Sequence, residues 1–131
     1  MAKNVRLLKP EPDLLLLHIE LKWIEPAIWR RVAVPENITL SKLHTVIQFA
    51  MGWEGGHLHE FEIAGENYGT PDPDGWGPPV NSDARKTLIK ALNGKKTFRY
   101  LYDFGSGPGY ADFLEVMADP NHPEHEDMMD L

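Results

Sequence analysis

The stretch from Pro26 to Phe61 constrains the fold more than any other part of the chain. Glu25-Pro26 breaks an extended segment, and Ile28 to Val34 reads as a strand with Ile28, Arg30, Val32 and Val34 on one face and Trp29 and Arg31 on the other. Thr39 or Ser41 then offers a side-chain oxygen to the free amides of a helix start. Leu43, Val46, Ile47, Ala50 and Met51 recur at three and four, which gives that helix one apolar stripe for packing on a sheet. Gly52 supplies a left-handed end, Trp53 is placed to fold back on the last turn, and Gly55-Gly56 turns the chain again. From His57 to Ile63 strict alternation puts His57, His59, Phe61 and Ile63 on one side and Leu58, Glu60 and Glu62 on the other.

The flanking segments extend this unit. Leu15, Leu17, Ile19, Leu21 and Trp23 share a face, so residues 14–23 read as a half-buried strand in a hairpin with the one after Pro26. Gly65 and Gly69 bracket a short strand around Tyr68, and Thr70 to Asp83 has the Pro, Gly and Asp content of a surface loop. Leu88, Ile89 and Leu92 make a short helix, and Thr97 to Phe104 a strong strand. After Gly109 the apolar residues Tyr110, Phe113, Leu114 and Met117 follow a helical spacing that Pro120 stops, and Pro123 opens a second helical stretch. The fold class this order predicts is α+β: a mixed or antiparallel sheet packed on a long helix, roll or β-grasp-like, with C-terminal helices. Residues 1–131 are expected to form one domain, with an acidic helix prone to fraying over residues 119–131.

The chain has no cysteine, which removes disulfides, thiolate metal sites and cysteine nucleophiles and fits a reducing compartment. No apolar run is long enough to span a bilayer and the first residues lack a signal-peptide core, so the expected location is the cytoplasm, with no membrane partner. The net charge of -7 is unevenly placed: residues 1–99 hold all 13 Lys and Arg, whereas no Lys or Arg follows Arg99. Between Arg85 and Arg99 there is no acid at all. The two segments could pair with each other or lie on separate solvated faces.

Five ordered motifs carry a family resemblance. They are Trp29-Arg30-Arg31-Val32, Leu40 with Leu43-His44, Gly52-Trp53, His57-Leu58-His59-Glu60-Phe61, and Tyr102-Asp103-Phe104-Gly105. Together they resemble the Ri-plasmid ORF-three-like family, relatives of which (TnpR-like proteins) occur as passengers of transposable elements. The resemblance implies an α+β roll in a plasmid or transposon context, and it carries no biochemical activity with it. The recombinase label attached to some relatives finds no serine or tyrosine nucleophile in a suitable setting. Family members continue after this last motif with a further Asp, a Trp-His pair and a cysteine-containing loop; here Ser106 follows, so a few dozen residues are expected to be missing between Gly105 and Gly109.

Three functions are open to such a chain. The leading one is a non-enzymatic interaction module whose groove, near Trp29, Arg31, Trp53, His57 and Tyr102, takes a protein or peptide partner. The second is a metal-dependent hydrolase or nuclease: His57 and His59, two apart on a strand, project to one side and could chelate a divalent ion with Asp103 or His44. Against it, Phe61 and Ile63 continue the same face, which suits histidines at the margin of a core. The third is a nucleic-acid-binding accessory protein using Arg85, Lys86, Lys95, Lys96 and Arg99 with Trp29, Trp53 or Trp76 for stacking, opposed by the overall acidity. His122 and His125 make a weaker metal pair without a general base at metalloprotease spacing. Asp103-Phe104-Gly105 lacks the companions of a kinase metal site, and Gly105-x-Gly107-x-Gly109 has the wrong spacing and sheet order for a dinucleotide turn. No cofactor is expected other than a divalent metal.

Overall fold

The structure, a computed structural model, describes residues 13–55, 58–71, 80–102 and 112–120. Nine elements follow in order: β1 (Leu14–Leu21), β2 (Trp29–Pro35), α1 (Leu40–Met51), β3 (His59–Ile63), β4 (Glu66–Gly69), β5 (Asn81–Ser82), α2 (Leu88–Leu92), β6 (Thr97–Tyr102) and β7 (Asp112–Pro120). The strands form one seven-stranded sheet in the order β2-β1-β7-β6-β3-β4-β5. Every neighbouring pair is antiparallel except β4 with β5. The α+β class and the mixed, mostly antiparallel sheet are therefore as the sequence predicts.

Alternation decides which face is covered. Leu15, Leu17 and Ile19 of β1, Leu114 and Val116 of β7, Tyr100 of β6 and Phe61 and Ile63 of β3 are at most 1% exposed, and they form one cluster with Leu40, Leu43 and Ile47 of α1 and Leu88 of α2. Burying a side chain of this size stabilises the fold by roughly 1.5–3 kcal/mol. The opposite face carries Leu16, His18 and Glu20 of β1, Trp29 and Arg31 of β2, Phe113, Glu115 and Met117 of β7 and Arg99 of β6, none of them buried.

Local chemistry sets the element ends. Thr39 Oγ1 accepts from the Lys42 amide at 3.2 Å and caps α1. Gly52 closes the helix at φ 75°, with its amide on Phe49 O and the Trp53 amide on Gln48 O. Ala64 and Gly65, at φ 50° and 81°, make the two-residue turn that joins β3 to β4 with the twist such hairpins need.

Two expectations are corrected, and a third falls outside the described residues. The apolar residues after Gly109 do not lie on a helix: β7 is a strand inserted between β1 and β6, with Leu114, Val116 and Ala118 inward and Met117 54% exposed. The second C-terminal helical stretch lies outside the described residues, and the helix expected to be long has twelve residues. Trp23 does not continue the buried face of β1; it sits in a turn at φ 62° and is 79% exposed.

Candidate functional site

Two regions bring together residues that the sequence singles out. The first lies between α1 and the sheet. Gln48 Nε2 donates to the Tyr100 hydroxyl at 2.9 Å, while its Oε1 accepts from the Gly55 amide, which fixes the orientation of the side-chain amide. The same hydroxyl is hydrogen-bonded to His44 Nδ1 at 2.6 Å, which joins Gln48, Tyr100 and His44 in one chain. Burial lowers the His44 pKa from 6.5 to about 4, helped by the like charge of His59 and opposed by Asp83. Burial likewise raises the Tyr100 hydroxyl well above its ordinary value.

His59 stacks on His44, with ring centroids 3.7 Å apart, and its Nε2 donates to Asp83 Oδ2 at 2.7 Å. Asp83, which the sequence assigns to a surface loop, is 7% exposed. Its backbone is held on both sides: its amide bonds to Gly69 O and its carbonyl accepts from the Ser41 amide. Trp53 stacks on Tyr102 at 5.0 Å, next to this cluster.

The cluster ties α1 and the segment after β5 to the sheet. It does not present converging ligands: the planes of the His44 and His59 rings lie within 15°, so their lone pairs lie in nearly parallel sheets. Among the described residues no group of three or more His, Asp or Glu is arranged to hold a metal ion. His57 and Asp103, proposed from sequence as further ligands, lie outside the described residues, as do His122 and His125.

The second region is the edge at β2, which no other strand pairs among the described residues. The amide of Leu21 on Ile28 O and that of Glu36 on Asp13 O set the phase of the β1–β2 ladder. In that phase Arg30, Val32 and Val34 bond to β1, whereas the amides and carbonyls of Arg31 and Ala33 point away from the sheet. The edge has closed ends: the Arg30 guanidinium donates to Trp29 O at 2.8 Å, and Pro35 has no amide to offer. Beside the edge, an open cleft of about 570 Å³ runs between β2 and α1, floored by Val32, Val46 and Phe49 and rimmed by Arg30 and Arg31. Phe49 is 88% exposed.

Of the five residues assigned to a partner groove, His57 lies outside the described residues and the other four fall in two places. Trp53 and Tyr102 stack together on the covered face, while Trp29 and Arg31 lie on the open face, where Trp29 stacks on His18 at 5.3 Å and the Arg31 guanidinium sits 4.9 Å from the Trp29 ring. The candidate nucleic-acid residues are also spread out. Arg85 and Lys86 precede α2, Lys95 and Lys96 follow it, and Arg99 lies on the open face, 3.6 Å from Glu62. The roles of Asp83, Gln48 and Phe49 were not signalled by any motif; the α1 periodicity alone marks Phe49 as an apolar residue off the packed stripe.

Comparison with other proteins agrees with the motifs. Residues 13–107 match the family model described as plasmid pRiA4b ORF-3-like protein. The uncharacterised protein y4hQ of Sinorhizobium fredii (strain NBRC 101917 / NGR234) is 34% identical over 152 residues, covering 87% of this chain and 78% of that one. Since 87% of this chain is about 114 residues, y4hQ carries a few dozen positions within the match that have no counterpart here. The crystal structure of a protein of unknown function, MM3350 from Methanosarcina mazei Go1, superposes with a TM-score of 0.67 at 34% identity, covering 85% of this chain. The chain spans 64% of the length of that solved protein. With its five motifs in order and a family match over most of its length, the chain belongs to the plasmid pRiA4b ORF-3-like family.

Proposed function

We propose that this member of the family is a non-enzymatic, cytoplasmic interaction module that receives an extended segment of a partner protein along the edge of β2. The observation that carries this reading is the ladder at Arg31 and Ala33, unpaired among the described residues, beside an apolar cleft. A strand with unpaired main-chain groups is a template for pairing, and natural proteins normally cover or blunt it. A segment laid along β2 would gain main-chain hydrogen bonds from the edge and selectivity from the cleft, which receives alternate side chains. The cleft volume lies in the range that ligand sites occupy, and exposed Phe49 supplies an aromatic anchor.

Selection from a random peptide display library tests the reading. Peptides that bind the wild-type protein and lose binding in Phe49→Asp and in Ala33→Pro, which removes the outward amide, support it. Selected peptides indifferent to both substitutions, or no selected peptides, would contradict it.

A further inference from the structure

We infer that the segment recognised at β2 is acidic as well as extended: an antiparallel strand with an apolar residue facing Val32 and carboxylates flanking it beside Arg31 and Ala33. This inference rests on the edge-strand reading and names the chemistry of its occupant. Charge complementarity carries it. Among the described residues neither Arg30 nor Arg31 meets a carboxylate, whereas Lys22 is 3.2 Å from Glu115 and Arg99 is 3.6 Å from Glu62. Of the three arginines without a carboxylate partner among the described residues, Arg30 and Arg31 adjoin at the edge and its cleft, and the third, Arg85, precedes α2.

Register assigns each side chain of the incoming strand. A residue opposite Arg31 shares the open face with that guanidinium, where opposite charges on facing strands attract. The next residue faces the cleft beside Val32, Val46 and Phe49 and must be apolar. The residue opposite Ala33 returns to the open face, within diagonal reach of Arg31. A second copy of the chain is a poorer occupant, because pairing two β2 edges about Val32 would bring Arg30 and Arg31 of both copies into one small region. Nucleic acid is poorer still, since main-chain amides and carbonyls in alternation do not match a row of phosphates.

The test uses the full chain and two acetylated probe peptides: one alternating aspartate and leucine between threonine ends, the other with lysine for each aspartate. Calorimetry reads affinity, and amide exchange at Arg31 and Ala33 reads position. The aspartate peptide should bind and protect both amides, about tenfold more weakly in Arg31→Glu and with a smaller loss in Arg31→Gln, while Arg31→Glu should gain preference for the lysine peptide. Equal binding of both peptides at the edge would overturn the acidic assignment and leave the edge-strand reading intact. Absence of protection by either peptide would overturn both. Protection of the two amides in the free protein would also overturn the inference: if it depends on concentration the occupant is a second copy, and if it does not, the chain covers its own edge.

Discussion

The imidazole rings of His44 and His59 lie face to face, with centroids 3.7 Å apart, and each has one nitrogen committed elsewhere: His44 to the Tyr100 hydroxyl and His59 to Asp83. Two rings stacked at this distance cannot both carry charge cheaply, and burial adds to the penalty. The pair is consistent with a packing and positioning role between α1 and β3.

Its first consequence is a pH dependence. Unfolded His44 takes up a proton as the pH falls through 6.5, whereas the folded ring, lowered to about 4 by burial first and by His59 second, does not. The unfolded state therefore binds more protons between these values. Stability should be complete above pH 6.5, fall toward pH 4 by about 1–2 kcal/mol, and lose nothing further from this group below that. The loss is smaller than the full shift implies because solvent screens a partly exposed ring. Urea midpoints at several pH values check this; His44→Gln should flatten the difference relative to wild type, and an unchanged slope would contradict it.

Tyr100→Phe removes the hydroxyl that links Gln48 to His44 while leaving the ring in the core. Both partners then lose a hydrogen bond in a buried or half-buried setting. The expected cost is about 1–3 kcal/mol in urea unfolding. Phe98→Leu, a buried apolar exchange on the same strand, removes packing and no hydrogen bond, so it should lower stability with no change in the pH profile.

The parity of β7 gives a sharper test. A helix over residues 110–117 would bury Leu114 and Met117 alike, whereas the strand buries Leu114 and leaves Met117 half-exposed. Leu114→Ala should cost about 2–5 kcal/mol. Met117→Ala should stay within about 0.5 kcal/mol, as substitutions on an open surface do. Equal costs would contradict the strand.

Gly69 is needed for close approach. A Cβ there would meet the carbonyl oxygen of His59 at 3.0 Å, and that oxygen belongs to the backbone of the neighbouring strand. Gly69→Ala should cost about 1–3 kcal/mol and disturb the His59–Asp83 contact, because the Asp83 amide is bonded to Gly69 O. Chemical shifts of the His59 ring, compared between wild type and variant, report the second effect.

These sites also show which parts of the fold could be read from sequence. The alternation of Leu15, Leu17 and Ile19, the Thr39 cap, the Gly52 terminus and the strand that starts at Thr97 are local signals, and each holds in the structure. The strand character of β7 is hidden because Phe113, Leu114 and Met117 also satisfy a helical spacing, while one of its two partners, β1, lies far away in sequence. The His59–Asp83 contact depends on β4 pairing in parallel with β5, a tertiary relation that no spacing encodes. The edge status of β2 is likewise a property of sheet order: the motif Trp29-Arg30-Arg31-Val32 identifies a strand and leaves its position in the sheet open.

The most direct test of the proposed function is amide hydrogen exchange along β2, measured with and without a peptide selected for binding. The account predicts new protection at Arg31 and Ala33 and little change at Val32, whose amide already bonds to β1. Exchange at Arg31 and Ala33 that is unaffected by a saturating peptide would contradict it.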